Sequence, residues 1–109
     1  MTNLFTETIQ ALKSNGKTLA DIIFVSGNGH DIPVDNFIEI AKKYDYDSGY
    51  GGTEVPEDLK VVGTDWWLER HEYDGSEWWE FKMLPKRPLE VKSVKAFDRE
   101  RYGDEIYVY

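Results

Sequence analysis

The side chains best suited to chemistry in this chain are Glu69, His71 and Glu80, which flank the turn signal Asp74-Gly75. If the segments before and after that turn pair as a β-hairpin, the three side chains share one face. Two carboxylates and an imidazole can bind a metal ion or transfer protons. Carboxylates directly opposite each other repel unless a cation intervenes, and Lys82 on the same face supplies one. Because zinc would also need a further strong ligand, we expect a solvated charged face, and neither a metal site nor paired-carboxylate hydrolysis.

Other catalytic motifs fail when their spacing is checked. Asn15-Gly16-Lys17-Thr18 imitates the end of a phosphate loop, but Ala11 stands where that loop needs a glycine. Gly27-Asn28-Gly29 lacks the third glycine of a dinucleotide fingerprint. The loop that starts at Asp45 lacks the glutamate of a calcium-binding EF-hand, because Pro56 occupies that position. The sequence thus predicts no catalytic residue, no metal site, no cofactor and no enzymatic activity.

A β-hairpin centred on Asp74-Gly75 is the element that would position these side chains. The pair suits the positive φ angles of a type I′ turn, which places Tyr73 opposite Ser76 and fixes the register of both strands. One face would be mostly apolar and belong to the core, with Arg70 able to stack on Trp79. The predicted core face carries Trp66, Leu68, Arg70, Trp79, Phe81 and Met83, and the opposite face carries Trp67, Glu69, His71, Tyr73, Trp78, Glu80 and Lys82.

The aromatic residues on the second face predict a binding platform. Tryptophan and tyrosine are common anchors of protein interfaces, because they bury a large area while losing little side-chain freedom. We expect Trp67 and Trp78 to lie side by side towards solvent, unless a helix covers them. Tyr46 and Tyr50, in a loop rich in glycine and aspartate, either extend this platform or pack onto their own domain. The predicted partner-binding residues are Trp67, Glu69, His71, Tyr73, Trp78, Glu80, Tyr46 and Tyr50.

Two amphipathic helices are predicted from apolar periodicity. The first covers residues 3–14 and ends at Asn15-Gly16, a pair suited to the left-handed stop of a helix. The second follows Pro33 and is expected to be capped by Asp35. Its buried side should carry Phe37, Ile40, Ala41 and Tyr44.

The remaining strands complete an α+β domain. Residues 19–26 suit a central strand buried on both faces, and the turn Asn28-Gly29 folds the chain back so that Val25 pairs with Ile32. Further strands are expected over residues 58–63, 89–97 and 105–109, although residues 94–101 also suit a helical turn. The predicted fold class is α+β: one domain, residues 1–109, in which two short helices pack on an antiparallel meander with a tryptophan-rich hairpin.

Composition limits the class of protein. The 109 residues include no cysteine, which excludes disulfides and cysteine zinc sites and favours a cytoplasmic protein. No apolar run approaches the roughly 20 residues of a membrane span, and no signal peptide is evident. The net charge is −8, with 16 acidic and 6 basic side chains in residues 1–81 but 3 acidic and 7 basic in residues 82–101. Such a chain should repel nucleic acid and attract basic protein surfaces, although acidity can also serve solubility alone.

The string DWWLERHEYDGSEWWEFK, with YDSGYGG and DLKVVG before it, resembles a family of small uncharacterised proteins encoded by phages and prophages of Gram-positive bacteria. The resemblance covers about residues 20–95 and rests on the tryptophan hairpin rather than on a catalytic motif. It implies a small acidic phage-type protein in the cytoplasm of a bacterial host cell, where many such products bind and disable a host or defence protein. It assigns no active residues.

These observations favour a non-enzymatic protein that binds and modulates or inhibits a bacterial or phage protein. A basic nucleic-acid-binding protein such as a CRISPR nuclease is one candidate partner, because an acidic domain can occupy a groove built for phosphates. The alternative is a small-ligand or saccharide binder in which Trp rings stack on sugars and Glu69 and Glu80 accept hydroxyl hydrogen bonds. Direct nucleic-acid binding and membrane binding are not expected, and exposed aromatic strands can also close a homodimer.

Overall fold

The computed structural model describes residues 1–47, 49 and 51–97, together with the backbone of residues 107–108. Its helices are α1 (Leu4–Ser14) and α2 (Val34–Lys42), with a 3₁₀ turn at Leu19–Asp21. Its strands are β1 (Thr2–Asn3), β2 (Phe24–Gly27), β3 (His30–Ile32), β4 (Asp45–Tyr46), β5 (Lys60–Val62), β6 (Trp66–Tyr73), β7 (Ser76–Met83), β8 (Ala96–Phe97) and β9 (Tyr107–Val108).

Five of these strands form an antiparallel sheet in the order β3-β2-β5-β6-β7. Strands β5, β6 and β7 follow one another both in the chain and in the sheet, which is the predicted meander. Two short pairs, β1 with β4 and β8 with β9, lie outside this sheet. The architecture confirms the predicted α+β class and the packing of two helices on one sheet.

The tryptophan hairpin, β6 and β7, has the predicted register. Tyr73 pairs with Ser76, and the pairing continues residue by residue to Trp66 at the far end of β6. Asp74 and Gly75 have φ angles of 50° and 85°, as a type I′ turn requires. Because side chains alternate between the faces of a strand, this register also fixes which side chains share a face.

The core lies between the helices and the apolar face of the hairpin. The indole N–H of Trp79 donates to the hydroxyl of Thr8 on α1 at 2.9 Å. Arg70 stacks on Trp79 as predicted, with 4.8 Å between the guanidinium carbon and the ring centre. The buried apolar residues are Leu4, Leu12, Val25, Phe37, Ala41, Tyr46, Val55, Leu59, Val61, Trp66, Leu68 and Trp79.

Helix α1 ends where the sequence predicted and has a side-chain cap at its start. The Asn3 side chain accepts a hydrogen bond from the backbone N–H of Thr6 at 3.0 Å, which satisfies one of the unpaired donors of the first turn. At the other end, Gly16 follows the cap residue Asn15 with a φ of 70°.

The prediction for helix α2 was wrong in two details. The helix starts directly after Pro33, which occupies the N-cap and offers no side-chain acceptor, and Asp35 lies inside the first turn. There its carboxylate interacts favourably with the helix dipole without capping the helix. Ile40 is exposed, because only the stripe formed by Phe37 and Ala41, four residues apart, reaches the core.

The first hairpin is confirmed, but its strand is not buried on both faces. Asn28-Gly29 forms the turn with positive φ angles, and Val25 pairs with Ile32. Strand β2 begins only at Phe24, and both Ile23 and Phe24 are exposed. The reason is that the helices cover only one face of the sheet, and Phe24 points to the other.

The end of the chain departs most from the prediction. Every residue from 83 to 97 is exposed, and the expected strand over residues 89–97 is limited to β8. Pro85 and Pro88 interrupt this segment, and neither can donate a backbone hydrogen bond to a sheet. Residues 94–97 are not helical; residues 98–101, and all of the predicted strand 105–109 except β9, lie outside the described residues.

Candidate functional site

The face of the sheet that points away from the helices, here called the open face, holds the hairpin residues predicted to bind a partner. Directly paired residues point to the same side of a sheet, so the strand registers arrange these side chains in rows. The rows are Phe24, Val62, Trp67 and Lys82; then Ser26, Lys60, Glu69 and Glu80; then His71 and Trp78; then Tyr73 and Ser76.

Neither helix covers the open face. Helix α1 reaches β7 from the opposite side, where Thr8 contacts Trp79. The buried residues Leu12 of α1 and Phe37 of α2 belong to the core cluster on that same side. Because Trp78 precedes Trp79 in the strand, its ring points the other way. The predicted binding platform is therefore covered by neither α1 nor α2.

Trp67 and Trp78 share the open face but are not neighbours. Trp67 pairs with Lys82 and Trp78 pairs with His71, so the two rings stand four residues apart along the hairpin. At 3.3 Å per residue this is roughly 13 Å. Both are half-buried. The expectation that the rings lie side by side is wrong, because the hairpin register places a charged row between them.

That charged row is a connected network. The Nε2 atom of His71 lies 2.7 Å from the Glu69 carboxylate, and its Nδ1 atom lies 3.2 Å from the Glu80 carboxylate. The Lys82 ammonium lies 3.1 Å from the second oxygen of Glu80. Lys82 thus relieves the repulsion between the two paired carboxylates, as the sequence indicated, and the His71 ring contacts both of them.

The same contacts lower the pKa of both carboxyl groups. The hydrogen bond from the Trp67 indole, followed by the one from His71, holds the pKa of Glu69 below its ordinary value. The hydrogen bond from Lys82 is the main cause that lowers the pKa of Glu80. Both carboxylates are therefore charged at neutral pH and keep the network ionic.

The network also orients the two tryptophan rings. The indole Nε1–H of Trp67 donates to Glu69 at 2.6 Å, and that of Trp78 points to Glu80 at a longer 3.4 Å. A ring already held in one orientation loses less conformational freedom when a partner packs on it. The arrangement therefore presents two preorganised aromatic surfaces with charges between them.

The predictions for the three tyrosines expected to bind a partner have different outcomes. Tyr73, near the hairpin turn, is 76% exposed and remains a candidate contact residue. Tyr46 is 1% exposed, which corrects its assignment to the binding surface. It is buried because β4 pairs with β1 and its hydroxyl donates to the Glu7 carboxylate at 2.7 Å. Tyr50 lies outside the described residues.

Sequence reasoning missed a buried ionic cluster on the helical side of the hairpin. The Arg70 guanidinium donates to Glu7 and Glu77, each at 3.0 Å, and to the Tyr46 hydroxyl at 3.1 Å. The side chains of Arg70 and Glu77 are only 3% and 2% exposed. Glu77 also accepts two backbone N–H groups from the loop before β5. The available signal was the hairpin register, which puts both charged residues on the core face.

The electrostatics of this cluster keep Arg70 charged and Tyr46 neutral. Burial acts to lower the pKa of Arg70, but the Tyr46 hydroxyl and the Glu7 carboxylate raise it above its ordinary value. Burial raises the pKa of Tyr46 to about 12, although Arg70 opposes that shift. The cluster joins α1, β4, β6 and β7, so we interpret it as structural.

A cavity of about 340 Å³ adjoins the cluster at the turn end of the hairpin. Three carboxylates and one hydroxyl are among its lining groups: Glu57, Glu72, Glu77 and Thr53. Within the part of the chain that the structure describes, no group of three or more His, Cys, Asp or Glu residues is arranged to hold a metal ion.

Comparisons of the chain with protein-family models, with curated proteins and with solved structures found no match. Among the described residues, no helix combines the length and apolar character needed to cross a membrane. The geometry of the open face is therefore the basis for assigning a function.

Proposed function

We propose that this chain is a non-enzymatic binding protein that recognises another protein through the open face of the tryptophan hairpin. One observation carries the proposal: Trp67 and Trp78 are held in fixed orientations by Glu69 and Glu80 on a sheet face that neither helix covers. A solvent-facing sheet surface needs no such combination of large rings and organised charge.

The physical basis is that of an interface hot spot. Aromatic anchors supply most of the binding energy when a partner excludes water from them. The charged row between the rings supplies directional hydrogen bonds, and its cations and anions must be matched by the partner. On the open face, the positive charges of Lys60 and Lys82 offset the negative charges of Glu69 and Glu80. Recognition therefore depends on the positions of these charges rather than on the net charge of the face.

Several exposed acidic side chains lie near the turn end of the hairpin, here called the acidic end. Asp47, Glu57, Glu72 and Asp74 are exposed there. Gly49 approaches the turn, since a Cβ atom built on Gly75 would lie 3.4 Å from the Gly49 carbonyl oxygen. A partner that covers Trp78 and Tyr73 therefore also faces this acidic end, which favours a basic partner surface.

In this proposal the partner is a bacterial or phage protein in the cytoplasm of the host, and binding modulates or inhibits it. The phage context follows from the resemblance of the hairpin segment to prophage-encoded proteins. A basic nucleic-acid-binding defence protein, such as a CRISPR nuclease, fits the acidic end, because its phosphate-binding groove attracts anions.

Saccharide binding is the alternative, and the half-buried indole rings suit it because they can stack on sugars. Against it, Lys60 and Lys82 lie beside Glu69 and Glu80 on the open face, and a neutral sugar offers no charges to match this alternating pattern. We therefore favour the protein partner.

The proposal is tested by affinity capture from a lysate of a Gram-positive bacterium. Three baits are compared: the wild type, Trp67→Ala/Trp78→Ala, and the control Ile40→Ala, which removes an exposed apolar side chain on α2. Proteins retained by the wild type and the control should be absent from the double variant. If all three baits retain the same proteins, the open face is not the binding surface. A glycan array probed with the same baits tests the alternative.

A further inference from the structure

A cavity of about 540 Å³ lies between α1 and the 3₁₀ turn at Leu19–Asp21, on the helical side of the sheet. It is larger than the cavity at the turn end of the hairpin and has a volume typical of sites for small organic ligands. The chain reverses direction at Gly16, whose φ of 70° is left-handed, so the 3₁₀ turn folds back beside the helix. The cavity, here called the α1 cavity, is thus a product of the local fold.

The lining of the α1 cavity is almost entirely apolar. Leu12 is buried in the hydrophobic core, and Leu19 packs against that core. Ile9 and Ala20 complete the apolar lining, and both retain contact with solvent. An apolar group that entered the cavity would remove this surface from water, which favours binding roughly in proportion to the buried area.

Two lysines give the α1 cavity a positive rim. Lys13 and Lys17 both line it, and none of its described lining residues is acidic. The Lys17 ammonium lies 5.9 Å from the centre of the Trp66 ring, which favours one position of this side chain. Within the part of the chain that the structure describes, neither ammonium has an ion-pair partner. This is unusual in residues 1–81, which carry a net charge of −10.

The acidic side chains nearest to these lysines in the chain have other partners. Asp21 accepts hydrogen bonds from the backbone N–H of Thr18 at 2.8 Å and from its hydroxyl at 3.2 Å. The Glu7 carboxylate pairs with Arg70 in the buried cluster. Both ammonium groups at the rim are therefore available to an anion from solution.

We propose that the α1 cavity binds a medium-chain carboxylic acid, whose alkyl chain lies against Leu12 and Leu19 and whose carboxylate remains at the rim with Lys13 and Lys17. The alkyl chain gains free energy by leaving water, and the carboxylate keeps part of its hydration, so no charge is buried without a partner. An alkylammonium would be repelled by the same lysines. The cavity and the open face lie on opposite sides of the sheet, so this inference does not depend on the proposed function.

The test is a titration of the isotopically labelled full chain with octanoate, followed through the backbone amide signals in NMR spectra. Signals from residues 9–20 should shift and reach saturation. From butanoate to octanoate, the affinity should rise by up to about fourfold for each added methylene that becomes buried. Octanol and octylammonium have the same alkyl chain without the negative charge, and each should bind at least about threefold more weakly than octanoate.

Two charge variants separate the rim lysines from the overall charge of the protein. Lys13→Gln/Lys17→Gln should weaken octanoate binding at least about threefold, because it removes both partly exposed ion pairs with the carboxylate. The matched control Lys42→Gln/Lys43→Gln removes the same charge at the end of α2 and should bind octanoate with nearly the wild-type affinity.

A third variant tests the cavity itself. Ala20 is exposed where it lines the cavity, so Ala20→Phe can fill the opening without disturbing the core. It should abolish the octanoate-dependent shifts and keep a melting temperature near that of the wild type.

Four results would overturn the proposal. The first is a wild type in which octanoate shifts no signals of residues 9–20. The second is equal affinity for octanoate, octanol and octylammonium, which would mean that the rim does not recognise the charge. The third is equal weakening by the two charge variants. The fourth is a response to vesicles of an anionic phospholipid but not to octanoate, which would assign the cavity to a lipid surface.

Discussion

At the scale of single residues, the hairpin uses charge in two physically different ways. Arg70 and Glu77 are almost fully removed from water, so Glu77 depends on Arg70 for its countercharge, and Arg70 on Glu77 and Glu7. Glu69, His71 and Glu80 remain partly exposed, where solvent screening limits the strength of ion pairs. The first group therefore governs stability, and the second governs the shape of the open face.

Replacing Arg70 with alanine should destabilise the protein strongly. The substitution leaves the buried Glu77 carboxylate without its cation, for which a loss of about 3–5 kcal/mol is expected. The control Lys82→Ala breaks only a partly exposed pair and should cost less than about 1 kcal/mol. Urea unfolding of both variants provides the measurement. Equal losses for the two substitutions would show that the buried cluster does not stabilise the fold.

The open-face network should make stability depend on pH in the acidic range. The pKa values of Glu69 and Glu80 are lower in the folded than in the unfolded chain. Their contribution is therefore present above the ordinary glutamate value of 4.5 and is lost as the pH falls through the folded values. The free energy of unfolding should fall less steeply on acidification in Glu69→Gln/Glu80→Gln than in the wild type. Parallel curves for the two proteins would contradict this.

At the scale of elements, the sequence correctly predicted the features that depend on residues close together in the chain. The turn Asp74-Gly75 was enough to predict the register of β6 and β7, and this register determines which hairpin residues lie on the open face. Tyr46 was misplaced because its burial depends on pairing with β1 and on contacts with Arg70, which are distant in sequence. The strand predicted over residues 89–97 is limited to β8, because strand-like composition does not by itself specify a neighbouring strand.

The packing of Trp66, the first tryptophan of the hairpin, should be sensitive to substitution of Gly63, the residue after β5. A Cβ atom at Gly63 would lie 2.1 Å from the Trp66 indole, so Gly63→Ala forces the ring to move. Such overpacking costs about 1–3 kcal/mol. The control Gly52→Ala meets no atom within 4 Å and should have little effect. Thermal unfolding of the two variants compares them, and a similar melting temperature for both would contradict the packing described for Trp66.

At the scale of the whole molecule, the protein combines a net negative charge over residues 1–81, an aromatic sheet face that neither helix covers, and a basic segment over residues 84–97. If the acidic end contributes to recognition, the complex with the captured partner should weaken as ionic strength rises, because salt screens exposed charges. Isothermal titration at low and high salt gives the comparison. A dissociation constant that does not change with salt would show that the acidic end does not contribute to recognition. It would also contradict nucleic-acid mimicry.

The dissociation constant of the purified complex with that partner tests the central claim most directly. A hot-spot anchor contributes about 2 kcal/mol or more, so even if only one of the two rings is an anchor, Trp67→Ala/Trp78→Ala should raise the dissociation constant by at least about 30-fold. Ile40→Ala, on the opposite side of the sheet, should leave it near the wild-type value. A double variant that binds as tightly as Ile40→Ala would contradict the assignment of the open face as the recognition surface.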